Sequence, residues 1–247
     1  NWRDEYMVWD CAWGTGNLTR DYNFVDLYCS TIHAEDLNIG HRYNKDATKF
    51  QYDFLNDDVE DMEQIENCIY QASRLRESNP MMAQTFISQA NTILFGTKLY
   101  DQAPGLIESL LGLNGKPRKK LLFLINPPYA TPGVIGAGAK SGTSDTAMKD
   151  VMKEEKISGS DQLWIQFIYR IYKLKKLFNV DIKIGAFTPS KILSLVKGKE
   201  VNSILVNEFG YFEGYGICAA NFADVKPNWG ISFTLWGSGV NNLTKLH

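Results

Sequence analysis

The sequence contains little that would hold a metal ion. It has three histidines and four cysteines in 247 residues, and no two cysteines form a CxxC pair. Structural zinc sites use Cys and His ligands at short, regular spacings, so we expect no metal site. Isolated cysteines are typical of buried thiols in a reducing compartment. The four are Cys11, Cys29, Cys68 and Cys218.

Long apolar runs and an excess of one charge are also missing. No segment approaches the length that spans a membrane, and no signal-peptide pattern opens the chain. The 26 basic and 28 acidic residues give a net charge of −2, so composition alone does not indicate a nucleic-acid-binding protein. The hydrophobic fraction of 44% suffices for a proper core. We therefore expect one globular cytoplasmic domain over residues 1–247, with no membrane partner.

The order of the elements predicts an α/β fold. Residues 6–10 form an apolar run that ends on an acid, a glycine turn follows, and residues 17–22 can begin a helix before a second strand at 25–33. This order is typical of a βαβ unit in a parallel sheet. Further strands are predicted at 50–55, 121–125 and 182–188, with a terminal antiparallel pair at 211–218 and 230–236.

Two long segments separate these strands. Residues 58–118 have apolar positions at i, i+3 and i+7 spacing, which predicts a helical insertion larger than one crossover helix. Residues 130–159 are rich in glycine and poor in apolar residues, which predicts a mobile loop beside the site. In the helix that follows, a buried stripe runs from Trp164 to Phe178, and we expect Arg170 to lie off it.

DCAWGTGN, residues 10–17, is the first motif with chemical content. Gly14 and Gly16 allow a tight turn that brings a ligand close to the backbone. A dinucleotide site needs G-x-G-x-x-G, but Thr19 occupies the third glycine position and Asp10 would repel a pyrophosphate. S-adenosylmethionine, which carries an amine, a sulfonium and a ribose, fits this acid better. An ordinary glycine turn before a helix is the alternative.

Acids also follow two further predicted strands. Asp36, beside Glu35, comes about twenty residues after the glycine turn, where nucleotide sites place a carboxylate on the ribose hydroxyls. Asp53 can accept a hydrogen bond from an adenine amino group while Phe54 stacks on the ring; a strand end with a buried Phe is the alternative. Because ligands of open α/β sheets bind at the carboxyl ends of strands, three such acids predict one cleft.

NPPY, residues 126–129, directly follows a run of five apolar residues. Pro127 and Pro128 fix the backbone and remove two donors, so the Asn126 side chain and the Pro127 carbonyl can both accept from one ligand. Two acceptors hold an NH2 group and raise the electron density on its nitrogen, while Tyr129 offers a face to a flat heterocycle. The motif suits a planar amine that is to be alkylated; a simple Pro-Pro strand terminator is the alternative.

Together these motifs resemble the adenine-N6-specific DNA methyltransferases. DCAWGTGN, Asp36, DFL at 53–55 and NPPY occur in the order of the γ group, in which the cofactor motifs precede NPPY. SDQLWIQFIYRIY, FTPSKIL and NWGISFTLW resemble the branch related to type IIG and Eco57I-like enzymes. The resemblance covers the chain except for the insertion at about 58–118.

The resemblance implies a class I S-adenosylmethionine-dependent methyltransferase fold, with a mostly parallel seven-stranded sheet and a reversed last strand. It implies methyl transfer to the N6 amine of an adenine that is flipped out of double-stranded DNA. Asn126, Pro127, Pro128 and Tyr129 would form the catalytic motif that holds this base. The implied cofactor-binding residues are Asp10, Cys11, Ala12, Gly14, Gly16, Asn17, Glu35, Asp36, Asp53 and Phe54.

Some positions depart from the family pattern. Cys11 stands where Pro is common and Trp13 where a small residue is common, so Trp13 either narrows the cofactor pocket or packs under the sheet. The chain begins at Asn1, so we expect a piece of a longer bacterial, phage or mobile-element protein. An upstream cofactor-binding segment and a target-recognition domain or subunit are then expected outside it.

DNA contacts and substrate identity complete the expectations. The candidate phosphate contacts are the basic residues Lys116, Arg118, Lys119, Lys120 and Lys140, with an ordinary solvated charge run as the alternative. NPPY also occurs in enzymes that methylate protein glutamine or rRNA adenine, and these are alternative functions. An inactive module that binds DNA or a partner is the alternative from another class.

Overall fold

The computed structural model describes residues 2–40, 42–129, 145–194, 198–218 and 230–237. Seven strands in these residues form one sheet. In chain order they are β1 Tyr6–Asp10, β2 Leu27–Thr31, β3 Thr48–Gln51, β4 Lys120–Ile125, β5 Ile182–Pro189, β6 Tyr211–Cys218 and β7 Gly230–Trp236. Their order across the sheet is β3-β2-β1-β4-β5-β7-β6.

Strands β1 to β5 run parallel to one another, and β7 is antiparallel to both β5 and β6. A mostly parallel seven-stranded sheet with a reversed last strand is the arrangement expected for the class I methyltransferase fold. That prediction is confirmed. The predicted terminal antiparallel pair is also confirmed, with β7 inserted between β5 and β6.

The direction in which the chain adds strands reverses between β1 and β4. The chain builds β2 and β3 outward from β1 and then crosses back to place β4 on the other side of β1. Trp9 of β1 pairs with Phe123 of β4, so the two strands end at the same edge. In open α/β sheets, ligands bind in the crevice at this kind of reversal, beyond the carboxyl ends of the strands.

Helices cover the sheet and fill the insertion. They are α1 Trp2–Glu5, α2 Ala34–Gly40, α3 Val59–Leu75, α4 Pro80–Gly96, α5 Lys98–Gln102, α6 Pro104–Leu111, α7 Ala147–Glu154, α8 Leu163–Phe178 and α9 Lys199–Ile204, with a 3-10 turn at Ser190–Ser194 and a π-helical turn at Leu205–Phe209. The predicted helical insertion thus consists of α3 to α6. The connection between α3 and α4 is short, and Asn79 caps α4 by accepting from the Met82 backbone N–H. Packed along each other, these two helices form an antiparallel hairpin.

The two faces of the sheet carry unequal cores, because alternate strand residues point to opposite faces. Met7 and Trp9 join the main core, which includes residues of α3, α6, α7 and α8. Val8 joins a smaller cluster with Trp13, Leu27 and Cys29 on the opposite face. In the main core, the Trp9 ring contacts four further aromatic rings, those of Phe50, Tyr52, Phe54 and Phe123.

Four expectations about local structure are wrong. The strand predicted at 50–55 is β3, Thr48–Gln51, and residues 54–58 form turns. Residues 17–22 form successive turns and no helix, because Thr19 is tied to Trp13 by a side-chain bond and to Asn44 through its backbone carbonyl. Within the loop predicted for 130–159, the segment 145–159 is not all loop, since α7 lies within it and buries three apolar residues; residues 130–144 lie outside the described ranges. Arg170 is buried, not off the stripe, because α8 is covered on a second side by α3 and α7.

None of the helices in the described residues is long and apolar enough to cross a membrane.

Candidate functional site

Asp10 is a buried carboxylate at the end of β1. It is 1% exposed, and its Oδ1 accepts a hydrogen bond from the Ala12 backbone N–H at 3.3 Å. Its Oδ2 is buried and has no hydrogen-bond partner among the described residues. Burial raises the pKa of Asp10 to about 8, although the Ala12 N–H acts in the opposite direction. A buried carboxylate oxygen without a partner is costly, so this position is suited to a ligand that brings a cation or a donor.

The glycine turn after β1 is built around Trp13. The Trp13 indole is buried, donates from Nε1 to Thr19 Oγ1 at 3.2 Å, and lies against Gly16 and Gly40. Gly14 and Gly16 both have positive φ, at 53° and 87°, which glycine adopts without strain. Of the two roles considered for Trp13, the structure shows the second, packing under the sheet with Val8, Leu27 and Cys29.

Gly40→Ala should be strongly destabilising because it would collide with Trp13. A Cβ at Gly40 would lie 2.1 Å from the Trp13 ring, and both groups are buried. We expect a loss of about 1–3 kcal/mol in the free energy of unfolding, measured in urea. Gly96→Ala is the matched control, since a Cβ there meets nothing within 4 Å. Equal stability of the two variants would contradict this account of the turn.

The acid after β2 is fixed by the strand end itself. Asp36 lies in the first turn of α2, and its Oδ2 accepts from the Thr31 hydroxyl at 2.8 Å. Thr31 is the last residue of β2 and is buried. Glu35 is exposed on the same helix. The geometry therefore favours Asp36 over Glu35 as the carboxylate held at the edge of the sheet.

Asp53 is half-buried after β3 and organises its own turn. Its two carboxylate oxygens accept from the Leu55 backbone N–H at 3.0 Å and from Asn56 Nδ2 at 2.7 Å. The Asp53 N–H donates to Asp57 Oδ2 at 2.7 Å, and Asn56 Oδ1 accepts from Ala147 at the start of α7. Both carboxylate oxygens retain lone pairs, so Asp53 can still accept from a ligand.

Phe54 lies inside the main core and not on a surface. It is 1% exposed, stacks on Phe167 at a centroid distance of 5.2 Å, and meets Trp9 edge to face at 5.3 Å. The Arg170 guanidinium carbon lies 5.1 Å from the Phe54 ring centroid. One face of the ring is therefore occupied by Phe167. Stacking of Phe54 on a ligand stays a prediction.

Asn126 and Tyr129 are joined by a hydrogen bond beyond the end of β4. The Tyr129 hydroxyl donates to Asn126 Oδ1 at 2.8 Å, which directs the carboxamide oxygen toward the aromatic side chain. Burial raises the pKa of Tyr129 to about 12, so the hydroxyl remains a donor at neutral pH. Asn126 is exposed, as is Pro128, whereas Pro127 is buried. Asn126 Oδ1, the acceptor that a bound amine would need, is thus accessible. A bound amine would take the place of the Tyr129 hydroxyl, which donates to it in this structure.

The remaining predicted residues are less distinctive. Cys11 is buried in the main core, and Ala12 contributes its backbone N–H to Asp10. Asn17 is exposed and accepts from Arg20 at 3.0 Å. Taken together, the sheet topology brings Asp10, Asp36, Asp53 and Asn126 to the carboxyl ends of four adjacent parallel strands, around the β1–β4 reversal.

Four of the five candidate phosphate contacts lie away from this site. Lys116, Arg118, Lys119 and Lys120 precede or begin β4, at the edge of the sheet opposite to NPPY. Lys116, Lys119 and Lys120 pair with Glu108, Asp26 and Glu5, and Arg118 donates to backbone carbonyls of residues 110, 178 and 179. Lys140 lies outside the described residues.

Two residues of this region were missed at the sequence level. Nothing in the sequence marks Thr31 as a site residue except its position at the end of a predicted strand. Arg170 is 3% exposed; its Nη2 donates to Tyr52 Oη at 2.9 Å and to the Asp57 carbonyl at 2.6 Å. It thereby ties α8 to the segment that carries Asp53.

Among the residues described, no group of His, Cys, Asp and Glu side chains is arranged to hold a metal ion.

Comparison with known proteins yields a likeness in fold. The chain is similar to a protein described as a modification subunit of a type I restriction enzyme from Vibrio vulnificus YJ016, with 12% identity and a TM-score of 0.45 over 96% of this chain and 41% of that one. It is also similar to the DNMT2 E260A/E261A/K263A mutant from Spodoptera frugiperda, with 10% identity and a TM-score of 0.42 over 97% of this chain and 50% of that one. The chain therefore spans half or less of either protein. No family model and no curated protein sequence matches it.

Proposed function

We propose that this chain is the catalytic domain of an S-adenosylmethionine-dependent methyltransferase that acts on the N6 amine of adenine in DNA. The observation that carries the proposal is the position, on either side of the β1–β4 reversal, of Asp10 and the NPPY carboxamide of Asn126; the buried Oδ2 of Asp10 has no hydrogen-bond partner among the described residues. The first suits a cationic cofactor, and the second suits a planar amine. The two lie at the ends of adjacent parallel strands, so both ligands would occupy one crevice.

The residues present fit this cofactor. Asp10 would pair with the amine of its methionine portion, because a cation there would satisfy Oδ2 and favour the ionised carboxylate. Asp36 would accept from the ribose hydroxyls, and Asp53 would accept from the adenine amino group. The cofactor supplies an activated methyl group on a sulfonium centre.

The target amine would be held by acceptors and not by a strong base. Asn126 Oδ1 and the Pro127 carbonyl would each accept from one N–H of the base. The Tyr129 hydroxyl, which holds Oδ1 in this structure, would be displaced, and the Tyr129 ring would stack on the base. These contacts would offset the few kcal/mol that a flipped nucleotide loses on unstacking.

Positioning accounts for most of the rate enhancement in this mechanism. The two acceptors would hold the amine nitrogen toward the methyl donor and would increase its electron density. The amine can lose its proton to solvent after the new bond has formed, so no general base of raised pKa is required. Asn126 is therefore the residue whose loss should affect methyl transfer most directly.

Asn126→Ala should abolish methyl transfer while leaving the fold intact. Because Asn126 is exposed, we expect little change in stability but a loss of about 100-fold or more in the rate of adenine methylation. The measurement is transfer of tritiated methyl from S-adenosylmethionine to DNA by the full-length protein. Asn67→Ala, which removes an exposed asparagine from α3, is the matched control and should retain activity.

The same assay separates the alternative substrates. DNA, rRNA and a glutamine-containing protein substrate are offered in parallel, and the modified residue is identified by mass spectrometry. Methyladenine in DNA supports the proposal. Transfer only to rRNA or to glutamine, or an Asn126→Ala variant as active as the parent, would show that it is wrong.

A further inference from the structure

Helix α4 lies at the surface of the insertion but has no charged residue. Its sequence, PMMAQTFISQANTILFG, lacks Asp, Glu, Lys, Arg and His over 17 residues. The neighbouring helix α3 has the same length and carries five charges, at Glu60, Asp61, Glu63, Glu66 and Arg74. Charge is depleted and Met and aromatic residues are enriched at the centres of protein interfaces. The composition of α4 is therefore that of an interface more than that of a solvated face.

The outward face of α4 has a regular pattern. Met82, Gln84, Ile87, Gln89 and Asn91 are also exposed, and between them runs a stripe of Met81, Thr85, Ser88, Thr92 and Phe95. The spacing of 4, 3, 4 and 3 residues puts these side chains along one side of the helix, as in an a/d seam between packed helices. The buried residues of α4, Ala83, Ala90 and Leu94, lie on the opposite side. Met81 is 82% exposed and Phe95 is 45% exposed, so the ends of the stripe are large apolar groups in solvent.

The polar atoms of this stripe are already largely satisfied. The Thr85 hydroxyl donates to the Met81 carbonyl at 3.1 Å, and the Thr92 hydroxyl donates to the Ser88 carbonyl at 3.0 Å. Both bonds are internal to the helix and remain intact when the face is covered. Burying these two threonines would therefore leave neither hydroxyl without a partner, which removes the main penalty for covering them.

The stripe is also self-complementary. Ser88 is at its centre, with Met81 seven residues before it and Phe95 seven residues after it. If two copies of α4 pack antiparallel about Ser88, each Met81 meets the Phe95 of the other copy, and Thr85 lies near Thr92. The small central residues allow a close approach, while the large side chains close both ends. No charge opposes its own copy, which is the usual obstacle to pairing of identical surfaces.

We propose that α4 forms a homodimer interface, in which the helices of two copies of this chain pack antiparallel across a two-fold axis at Ser88. Each copy uses the same patch, as closed two-fold symmetry requires. A helix of 17 residues is about 26 Å long, so one helix pair buries less than a standard interface of ~800 Å² per partner. We therefore expect a weak dimer, whose population depends on protein concentration.

Sedimentation equilibrium of the full chain tests the proposal. The wild-type protein should pass from monomer to dimer over about a hundredfold range of concentration. Ser88→Arg, which sets two cations against each other on the axis, should raise the Kd by about tenfold or more. Gln89→Arg adds the same charge at the next exposed residue, off the stripe, and should change the Kd by less than about twofold.

A disulfide test reports the geometry independently. Cys11, Cys29 and Cys68 are buried and Cys218 is exposed, so Cys218→Ser gives a background without an accessible thiol among the described cysteines. In that background Ser88→Cys should form a disulfide-linked dimer under mild oxidation, because a residue on a two-fold axis meets its own copy. Gln64→Cys on the exposed side of α3 is the control.

Faster cross-linking of Ser88→Cys than of the control, with dissociation by Ser88→Arg, supports the interface. A chain that stays monomeric at every concentration overturns it. A dimer that persists in Ser88→Arg, or cross-links equally well through residue 64, overturns it too, because the contact would then lie elsewhere.

Discussion

Asp10→Asn should stabilise the protein, and the gain should increase as the pH rises from about 4 to about 8. In the folded protein, burial raises the pKa of Asp10 from 3.8 to about 8. In this interval the unfolded chain is ionised at residue 10 while the folded protein keeps the proton. The folded state thus binds more protons, and the free energy of unfolding falls as the pH rises. Below the interval both states are protonated and above it both are ionised, so the slope disappears.

The expected size follows from this linkage. Each unit of pKa difference corresponds to about 1.4 kcal/mol, so the rise from 3.8 to about 8 sets an upper limit of about 6 kcal/mol on the gain from Asp10→Asn at the upper end of the interval. At the lower end Asn is nearly isosteric with protonated Asp and still accepts from Ala12, so the two proteins should be similar there. Urea unfolding at several pH values measures the difference. Asp21→Asn, at an exposed position, should show no such trend.

The same variant should lose the cofactor. On the proposed function, a cationic amine beside Asp10 favours ionisation, so binding near neutral pH should release a proton from the protein. Calorimetry in buffers of different ionisation enthalpy would detect that proton in the parent protein and not in Asp10→Asn. If Asp10→Asn is more stable but binds S-adenosylmethionine with undiminished affinity, the stability argument stands. The role assigned to Asp10 in cofactor binding is then wrong.

The parts of the fold that the sequence predicts well are those with local causes. Strands β1 and β4 to β7 begin and end within one residue of the predicted ranges, and β1 and β4 are nearly continuous apolar runs with clear ends. Asp10 and Asn126 were predicted as site residues for a related reason. An acid or a carboxamide directly after such a run must lie at the carboxyl edge of a parallel sheet, whichever strands are neighbours.

The errors concern residues whose environment is set by distant parts of the chain. Periodicity places Arg170 off the stripe because it describes one buried face, whereas α8 is covered on a second side by α3 and α7. The turns at 17–22 depend on Thr19, whose hydroxyl and carbonyl bond to Trp13 and Asn44. The basic residues before β4 are paired with Glu5, Asp26 and Glu108, which only the tertiary fold brings near. None of these partners can be read from local pattern.

The sequence pattern assigns Phe54 to a cofactor contact, whereas tertiary packing places it in the main core. Substitution of Phe54 distinguishes these two roles. Phe54→Ala should lose about 3–5 kcal/mol in the free energy of unfolding, since it removes a ring packed among Trp9, Phe123 and Phe167. Phe212→Ala makes the same truncation at a side chain that is 48% exposed. We expect it to cost less than about 1 kcal/mol. Thermal or urea unfolding of both variants measures this difference.

The milder variant Phe54→Leu then decides whether the ring also contacts the cofactor. It should remain folded, because it keeps most of the apolar volume of the core. If Phe54 serves the core alone, the affinity of Phe54→Leu for S-adenosylmethionine should stay within about threefold of the parent, since less than about 1 kcal/mol is then at stake. A stacking role would cost about 1–3 kcal/mol, a loss of roughly fivefold to more than a hundredfold. Because Phe167 already occupies one face of the ring, we expect the smaller effect, with Asp53 as the main contact of this segment.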